Sequence, residues 1–337
     1  MKVGFLGGKF LPFHQGHVYM IMAASTIVDK LYVVLSSSEN RDRQLCERDG
    51  VTYIPAEVRL SWIGNTLNDL QNIEIIHIKD TQWDENYDWD EGADAIKKAI
   101  HEKITHVFSS ETSYNEMFAK NYPDAQHIVI DEGRCLVPIS ATELRRSIYN
   151  NWNMLPPAVA SFFTKKVLIT GTESCGKSTL VKKLAKFYNT NYVPEVGRVY
   201  CEKYKNMLTP DMFSHIAMEH YMAQIHASEH SNKFLFVDSD ATITKYYLQE
   251  YGSKDGFSGD TTLIDAIINK QKYDVILYLE PDVPWVSDGY RFLSDEWVRN
   301  SCNDKLKAMY KDVNLIPISG DYESRFMQSI NILSRLL

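Results

Sequence analysis

Two stretches of this chain combine residue types suited to handling phosphate. "GTESCGKS", Gly171 to Ser178, matches G-x-x-x-x-G-K-[ST], with the apolar run "KKVLIT" before it and the helical pattern "TLVKKLAKFY" after it. In that context the glycines Gly171 and Gly176 let backbone N–H groups turn inward around phosphate oxygens. Lys177 reaches the β and γ oxygens, and Ser178, with Thr179 beside it, opens the following helix with hydroxyls, the Ser178 hydroxyl being suited to Mg²⁺. "FLFVDSD" places Asp238 at the end of a buried strand, where a carboxylate holds Mg²⁺ directly or through water; Asp240 either faces substrate or caps a helix. "YVPEVGR" sets Glu195 as a candidate general base for an acceptor hydroxyl and Arg198 as an orienting group, although a surface ion pair explains the same two residues. The segment 285–299 carries Arg291 and Arg299, which suit a lid closing on a transferring phosphoryl group or, equally, a solvated helix face.

The second stretch, "GGKFLPFHQGH", occupies residues 7 to 17, directly after the first apolar run. Gly7 and Gly8 permit close backbone approach and Pro12 fixes a turn. His14 and His17, one helical turn apart around Gly16, point together at a phosphate near a helix N-terminus. Such a pair stabilises charge developing on a phosphorus under in-line attack, with no covalent intermediate required. Metal ligation fits less well, because carboxylate or thiolate ligands are missing nearby. Far downstream, "ISATELRRS" offers Ser140, Thr142 and Arg145 at a helix start, where hydroxyls, N–H groups and a guanidinium converge on one anion; a simple N-cap with a surface arginine is the alternative.

Taken together, "GKFLPFHQGH" and "ISATELRRS" resemble the (H/T)xGH and ISxTxxR signatures of the nucleotidylyltransferase superfamily. With a P-loop domain downstream, the whole chain resembles the bifunctional NadR family, which joins nicotinamide mononucleotide adenylyltransferase to ribosylnicotinamide kinase. The resemblance extends to "VFSSE" followed by Tyr114, to "DEGR", "VPEVGR" and "VDSDATIT". It implies that Gly8, Lys9, Phe10, His14, His17, Ser140, Thr142 and Arg145 bind ATP in a first site, and that Gly171, Gly176, Lys177, Ser178 and Thr179 bind it in a second. It places Ser110, Glu111 and Arg134 against the first site's acceptor, and Glu195, Arg198 and Asp240 against the second's. Trp89, or else Trp83, is expected to stack on a nicotinamide ring whose positive charge suits the acids of "TQWDENYDWDEG", with core packing the equal alternative for either. ATP, nicotinamide riboside and nicotinamide mononucleotide are the small-molecule partners implied, with Mg²⁺ as cofactor. A fusion acting on a pantetheine, flavin or sugar phosphate, or a non-catalytic ATP or NAD sensor, is the competing reading. Some members carry an N-terminal helix-turn-helix domain; here the first strand begins at Lys2, so operator binding is not expected.

The elements that must position these residues follow from the hydrophobic pattern. Apolar runs at "KVGFLGG", "KLYVVLSSS", "NIEIIHIKD", "ITHVFSSE" and "AQHIVID" alternate with helical spacing, which predicts a doubly wound parallel sheet of the Rossmann type. The Pro-Pro pair in "NNWNMLPPAVASFFT" interrupts this rhythm, and a second series of apolar runs follows. The expected architecture is therefore α/β with two tandem domains: a nucleotidylyltransferase domain over residues 1–155 and a P-loop kinase domain over 156–337. A chain of 337 residues with 44% hydrophobic and 24% charged residues has enough material for two cores. The net charge of −8 argues against a general nucleic-acid or anionic-membrane binder, and no apolar run is long enough to cross a bilayer. Five cysteines without a framework spacing fit reduced thiols in a cytoplasm. A homo-oligomer is compatible with everything above and demanded by none of it.

Overall fold

A computed structural model describes residues 1–79, 89–252, 259–286 and 295–337. It divides into two compact units, Met1–Val159 and Ala160–Leu337, and the division falls within a short helix. Each unit is built on its own five-stranded, all-parallel sheet.

In the first unit β1 (Val3–Gly8), β2 (Lys30–Ser37), β3 (Ile73–Lys79), β4 (His106–Ser109) and β5 (Gln126–Val129) lie in the order β3-β2-β1-β4-β5. The helices are α1 (Gln15–Ser25), α2 (Glu39–Arg48), α3 (Ala56–Leu67), α4 (Trp89–Ala99), α5 (Asn115–Asn121) and α6 (Ala141–Arg146), with α7 (Pro157–Phe163) at the division. Strand position explains strand sequence. Leu31 to Leu35 of β2 are buried without interruption, as befits a strand covered on both faces, whereas β3 at the edge alternates partly buried and exposed residues. The order reverses between β1 and β4, and in such sheets ligands bind beyond the strand ends at that reversal. The loop after Gly8 and the segment after Ser109 therefore flank one crevice.

The second unit contains β6 (Lys165–Thr170), β7 (Tyr192–Val193), β8 (Phe234–Asp238), β9 (Val275–Leu279) and β10 (Leu315–Ile318), ordered β10-β9-β6-β8-β7. Its helices are α8 (Lys177–Phe187), α9 (Val196–Tyr204), α10 (Pro210–Glu229), α11 (Ala241–Gly252), α12 (Thr262–Lys270), α13 (Glu296–Met309) and α14 (Tyr322–Leu333). Alternate residues of each central strand enter opposite cores. Val167, Ile169, Phe236 and Leu277 pack with α8 and α14 on one face; Leu168, Leu235, Ile276 and Tyr278 pack with Ile243 and Leu306 on the other. Here the reversal lies between β6 and β8, which brings the loop after Thr170 beside Asp238.

Candidate functional sites

In the first unit the chain turns sharply after β1. Phe10 takes φ +47, and the aromatic rings of Phe10 and Phe13 bracket His17, Phe13 lying stacked at 5.8 Å. His14 is the N-cap of α1, and its Nδ1 accepts the Gly16 amide at 3.1 Å. An accepting Nδ1 leaves the ring proton on Nε2, so His14 presents a donor. The His14 and His17 rings stack at 3.7 Å between centroids. Gly16 suits this packing, since a Cβ there would stand 3.0 Å from the His14 ring and press on it. Burial, and then the charge of Arg134, lowers the pKa of His14 to about 3; burial, His14 and Arg134 together hold His17 well below its ordinary value. Both imidazoles are neutral at physiological pH, which selects neutral N–H donation over imidazolium charge. His17 Nδ1 is buried with no partner.

The second signature of this unit packs under the same turn. Ser140 is the N-cap of α6 and accepts the Glu143 amide at 3.1 Å. Arg145, 6% exposed, donates to the Leu11 carbonyl at 2.6 Å, to Asp49 at 2.8 Å and to Thr142 Oγ1 at 3.1 Å. Three of its five N–H groups thus grip the turn and its support before any ligand arrives. Lys9 pairs with Asp42, a residue of α2, at 2.9 Å. Across the crevice, Ser109 ends β4 with its Oγ 2.7 Å from His127 Nε2, and Ser110 leads to Glu111, whose carboxylate takes Arg134 at 3.4 Å. Arg134 sits at φ +53 in a turn closed by the Asp131 carboxylate on the Leu136 and Val137 amides, and its charge is felt by both histidines. The fold therefore gathers Glu111, Arg134, His14 and His17, which lie as much as 120 positions apart in sequence. Trp89 begins α4, half exposed, with its ring 5.5 Å from that of Tyr114. Trp83 lies outside the described residues.

The second unit holds a cleft of about 270 Å³ between the loop 171–178, the end of β7, and α10. Gly171 (φ +142), Ser174 (φ +58) and Gly176 (φ +88) shape the loop, and at Gly171 a Cβ would meet the Leu279 carbonyl at 2.6 Å. Lys177, almost fully buried, donates to the Gly171 and Thr172 carbonyls at 2.9 and 2.8 Å. Ser178 and Thr179 open α8 with exposed side chains. Asp238 hydrogen-bonds the Ser178 side chain, while its Oδ1 is buried without a partner. Burial and the Glu195 charge raise its pKa to about 6 against the pull of Lys177 and Ser178. A hydroxyl beside an under-satisfied carboxylate is the donor set that suits Mg²⁺, with phosphate and water completing the shell. Among the described residues no group of three or more His, Cys, Asp or Glu forms a metal cluster.

Glu195 precedes α9 and lines the cleft with Arg198, which also forms an exposed pair with Glu202 at 2.7 Å. Asp240 takes the helix-capping role, one of the two expected of it. Its carboxylate lines the cleft; Oδ1 accepts the Thr242 and Ile243 amides and the Tyr310 hydroxyl at 2.5 Å, and Oδ2 accepts the Thr242 hydroxyl. Arg299 is likewise buried, donating to the carbonyls of Pro281 and Val283, and so braces the end of β9 instead of closing over phosphate. Arg291 lies outside the described residues. Two residues of this unit were not anticipated. His220 of α10 lines the cleft as a neutral ring, its pKa lowered to about 4 by burial. Arg325, 1% exposed, ties the Cys175 carbonyl in the phosphate loop to the Gly320 and Glu280 carbonyls and to Asp282.

These features define a nucleotidylyltransferase-type α/β domain followed by a P-loop domain. The cytidylyltransferase-like family model matches residues 5–147, and that of the AAA domain matches residues 166–325. Over its full length the chain is similar to NadR proteins. It is 29% identical to the trifunctional NAD biosynthesis/regulator protein NadR of Salmonella typhimurium over all of this chain and 83% of that one, and equally to NadR of Escherichia coli over 99% and 83%. A NadR protein solved in complex with NR has the same fold, with a TM-score of 0.80 at 24% identity, covering 99% of this chain and 96% of that one. Another, in complex with NAD and AMP-PNP, gives 0.76 at 22% over the same shares. A phosphopantetheine adenylyltransferase of Mycoplasma mycoides is 28% identical over 43% of this chain and 95% of its own length.

Proposed function

We propose that the chain makes NAD from nicotinamide riboside in two ATP-dependent steps divided between residues 1–155 and 156–337. The carrying observation is that one chain holds two candidate phosphate cradles of different construction, a neutral histidine pair and a P-loop, and that its whole length aligns with 83% of a NadR relative. In the second unit the 5′-hydroxyl oxygen of the riboside attacks the γ-phosphorus of ATP; the bond to the β-bridging oxygen breaks, ADP leaves, and Glu195 takes the hydroxyl proton. Lys177 exchanges its two loop carbonyls for β and γ oxygens. Ser178 and Asp238 would hold Mg²⁺, which would supply charge neutralisation to the phosphate oxygens. Arg198 orients the acceptor.

In the first unit a phosphate oxygen of the mononucleotide attacks the α-phosphorus of a second ATP, forming the dinucleotide and expelling pyrophosphate. That nucleophile is ionised at neutral pH, so the site needs donors and alignment and no base. His14 and His17 supply neutral N–H groups, Lys9 and Arg134 supply positive charge, and Glu111 and Trp89 face the acceptor. We place the protein in the cytoplasm, with small molecules as its partners and no nucleic acid.

Purified protein incubated with nicotinamide riboside, ATP and Mg²⁺ is expected to yield ADP, mononucleotide, NAD and pyrophosphate. Turnover of pantetheine, flavin or sugar phosphates in place of both nicotinamide substrates would overturn the assignment.

A further inference from the structure

The turn that carries Lys9 and Phe10 is supported by two buried arginine–aspartate pairs that share one helix. Arg59 of α3 and Asp42 of α2 meet at 2.6 Å, and both side chains are fully buried. Arg145 meets Asp49, the C-cap of α2, at 2.8 Å, and the Asp49 side chain is also fully buried. Each arginine holds one carbonyl of the turn: Arg59 donates to Lys9 O at 2.7 Å and Arg145 to Leu11 O at 2.6 Å. Between these two anchors sits Phe10 at φ +47, a conformation that costs a non-glycine residue energy and persists only where its surroundings enforce it.

Asp42 does more than balance Arg59. One carboxylate oxygen takes Arg59 and the Ser38 amide, while the other takes Lys9 Nζ at 2.9 Å. Lys9 is therefore held twice, at its carbonyl by Arg59 and at its ammonium by Asp42. Two cations share a single carboxylate, so the cluster carries one net positive charge, and Lys9, the member with solvent access, is where that charge meets solvent. A fully buried ion pair is an expensive way to stabilise a fold, because the desolvation of both ions offsets most of their attraction.

We infer that Asp42 and Arg59 are positioning residues for the first site, fixing the backbone and the ammonium of Lys9 so that its charge is presented to the triphosphate of ATP. This rests on the adenylyl-transfer reading of that unit. Replacing Asp42 by Asn sets an amide where two cations need an anion; the guanidinium then shifts off Lys9 O and the ammonium is released.

The test uses the full chain with ATP and nicotinamide mononucleotide, following pyrophosphate for wild type, Asp42→Asn, Arg59→Lys, Lys9→Ala and the Lys9→Ala/Asp42→Asn double variant. Expected is a loss in kcat/KM of about ten- to a hundredfold for Asp42→Asn, carried largely by KM for ATP, with Arg59→Lys intermediate because it keeps the charge but not the fork. In the Lys9→Ala background, Asp42→Asn should add less than about twofold, since residues acting through one another are not additive. Riboside phosphorylation by the same preparations reports that the chain is folded and should be unchanged. Losses that multiply in the double variant, or a wild-type kcat/KM in Asp42→Asn, overturn the inference. If wild type itself forms no pyrophosphate, the adenylyl-transfer reading fails separately. ATP binding to the first unit, measured with Lys177→Ala silencing the second, then decides the role of the pair by the same non-additivity.

Discussion

The two phosphate cradles solve one electrostatic problem with opposite materials. In the second unit charge is met by charge: Lys177, Asp238 and Glu195 share a cleft, and burial, then the Glu195 charge, lifts Asp238 to a pKa of about 6. In the first unit the groups closest to the expected reaction are two imidazoles stripped of charge by burial, with their cations at the margins. The difference matches what each reaction asks. A hydroxyl acceptor must lose a proton, and a site that accepts protons is full of titrating groups. A phosphate acceptor is ready to attack, and neutral donors avoid trapping it as a stable ion pair.

The strongest way to break this comparison is a crossed pair of variants. Lys177→Ala should lower riboside phosphorylation by about 10²–10³-fold or more while leaving mononucleotide adenylylation intact, and His17→Ala should do the reverse and let mononucleotide accumulate from riboside. Loss of both activities in either variant would show the units to be less independent than their separate cores imply. Next in size is pH. Protonation of Asp238 removes the anion that pairs with Ser178, so kcat/KM for phosphorylation should fall about tenfold per pH unit below about 6. Adenylylation should pass through pH 6.5 without a histidine step, because His14 stays neutral down to about 3. A shared acid limb in both profiles would refute the contrast. A smaller effect is expected from Tyr310→Phe, which removes one of four donors from the buried Asp240 carboxylate and should destabilise the second unit by about 1–3 kcal/mol in denaturant unfolding. Smallest is Gly16→Ala, whose Cβ presses on the His14 ring and should reduce adenylylation a few-fold with little change in stability.

What the sequence made legible was local. The P-loop announces itself within eight residues, and the strand runs that predict two parallel sheets are continuous apolar segments. The supports of those motifs were hidden because their partners are distant. Arg325 and Cys175 are 150 positions apart, and Arg145 and Asp49 are 96 apart. Asp42 lies in "ENRDRQLCERD", where a buried aspartate looks like any other charge on a solvated helix. Arg59 did leave a trace. Ala56, Arg59, Ile63 and Leu67 follow the spacing of one helix face, so an arginine occupies a slot otherwise reserved for core residues. A charge inside an apolar stripe signals a buried partner elsewhere. Asp240 was legible as a helix cap from its place at a strand end, but its bond to Tyr310, 70 positions away, was not.

The elevated pKa of Asp238 reaches beyond turnover into calorimetry. Burial and the Glu195 charge favour the protonated form of this carboxylate in mildly acidic solution, and a divalent cation that ligates it would displace that proton. Cation binding would then release protons in that pH range. The heat measured for the same titration would accordingly differ between buffers of high and low ionisation enthalpy, and the affinity would strengthen as the solution is made more alkaline, until above pH 7 the buffer no longer mattered.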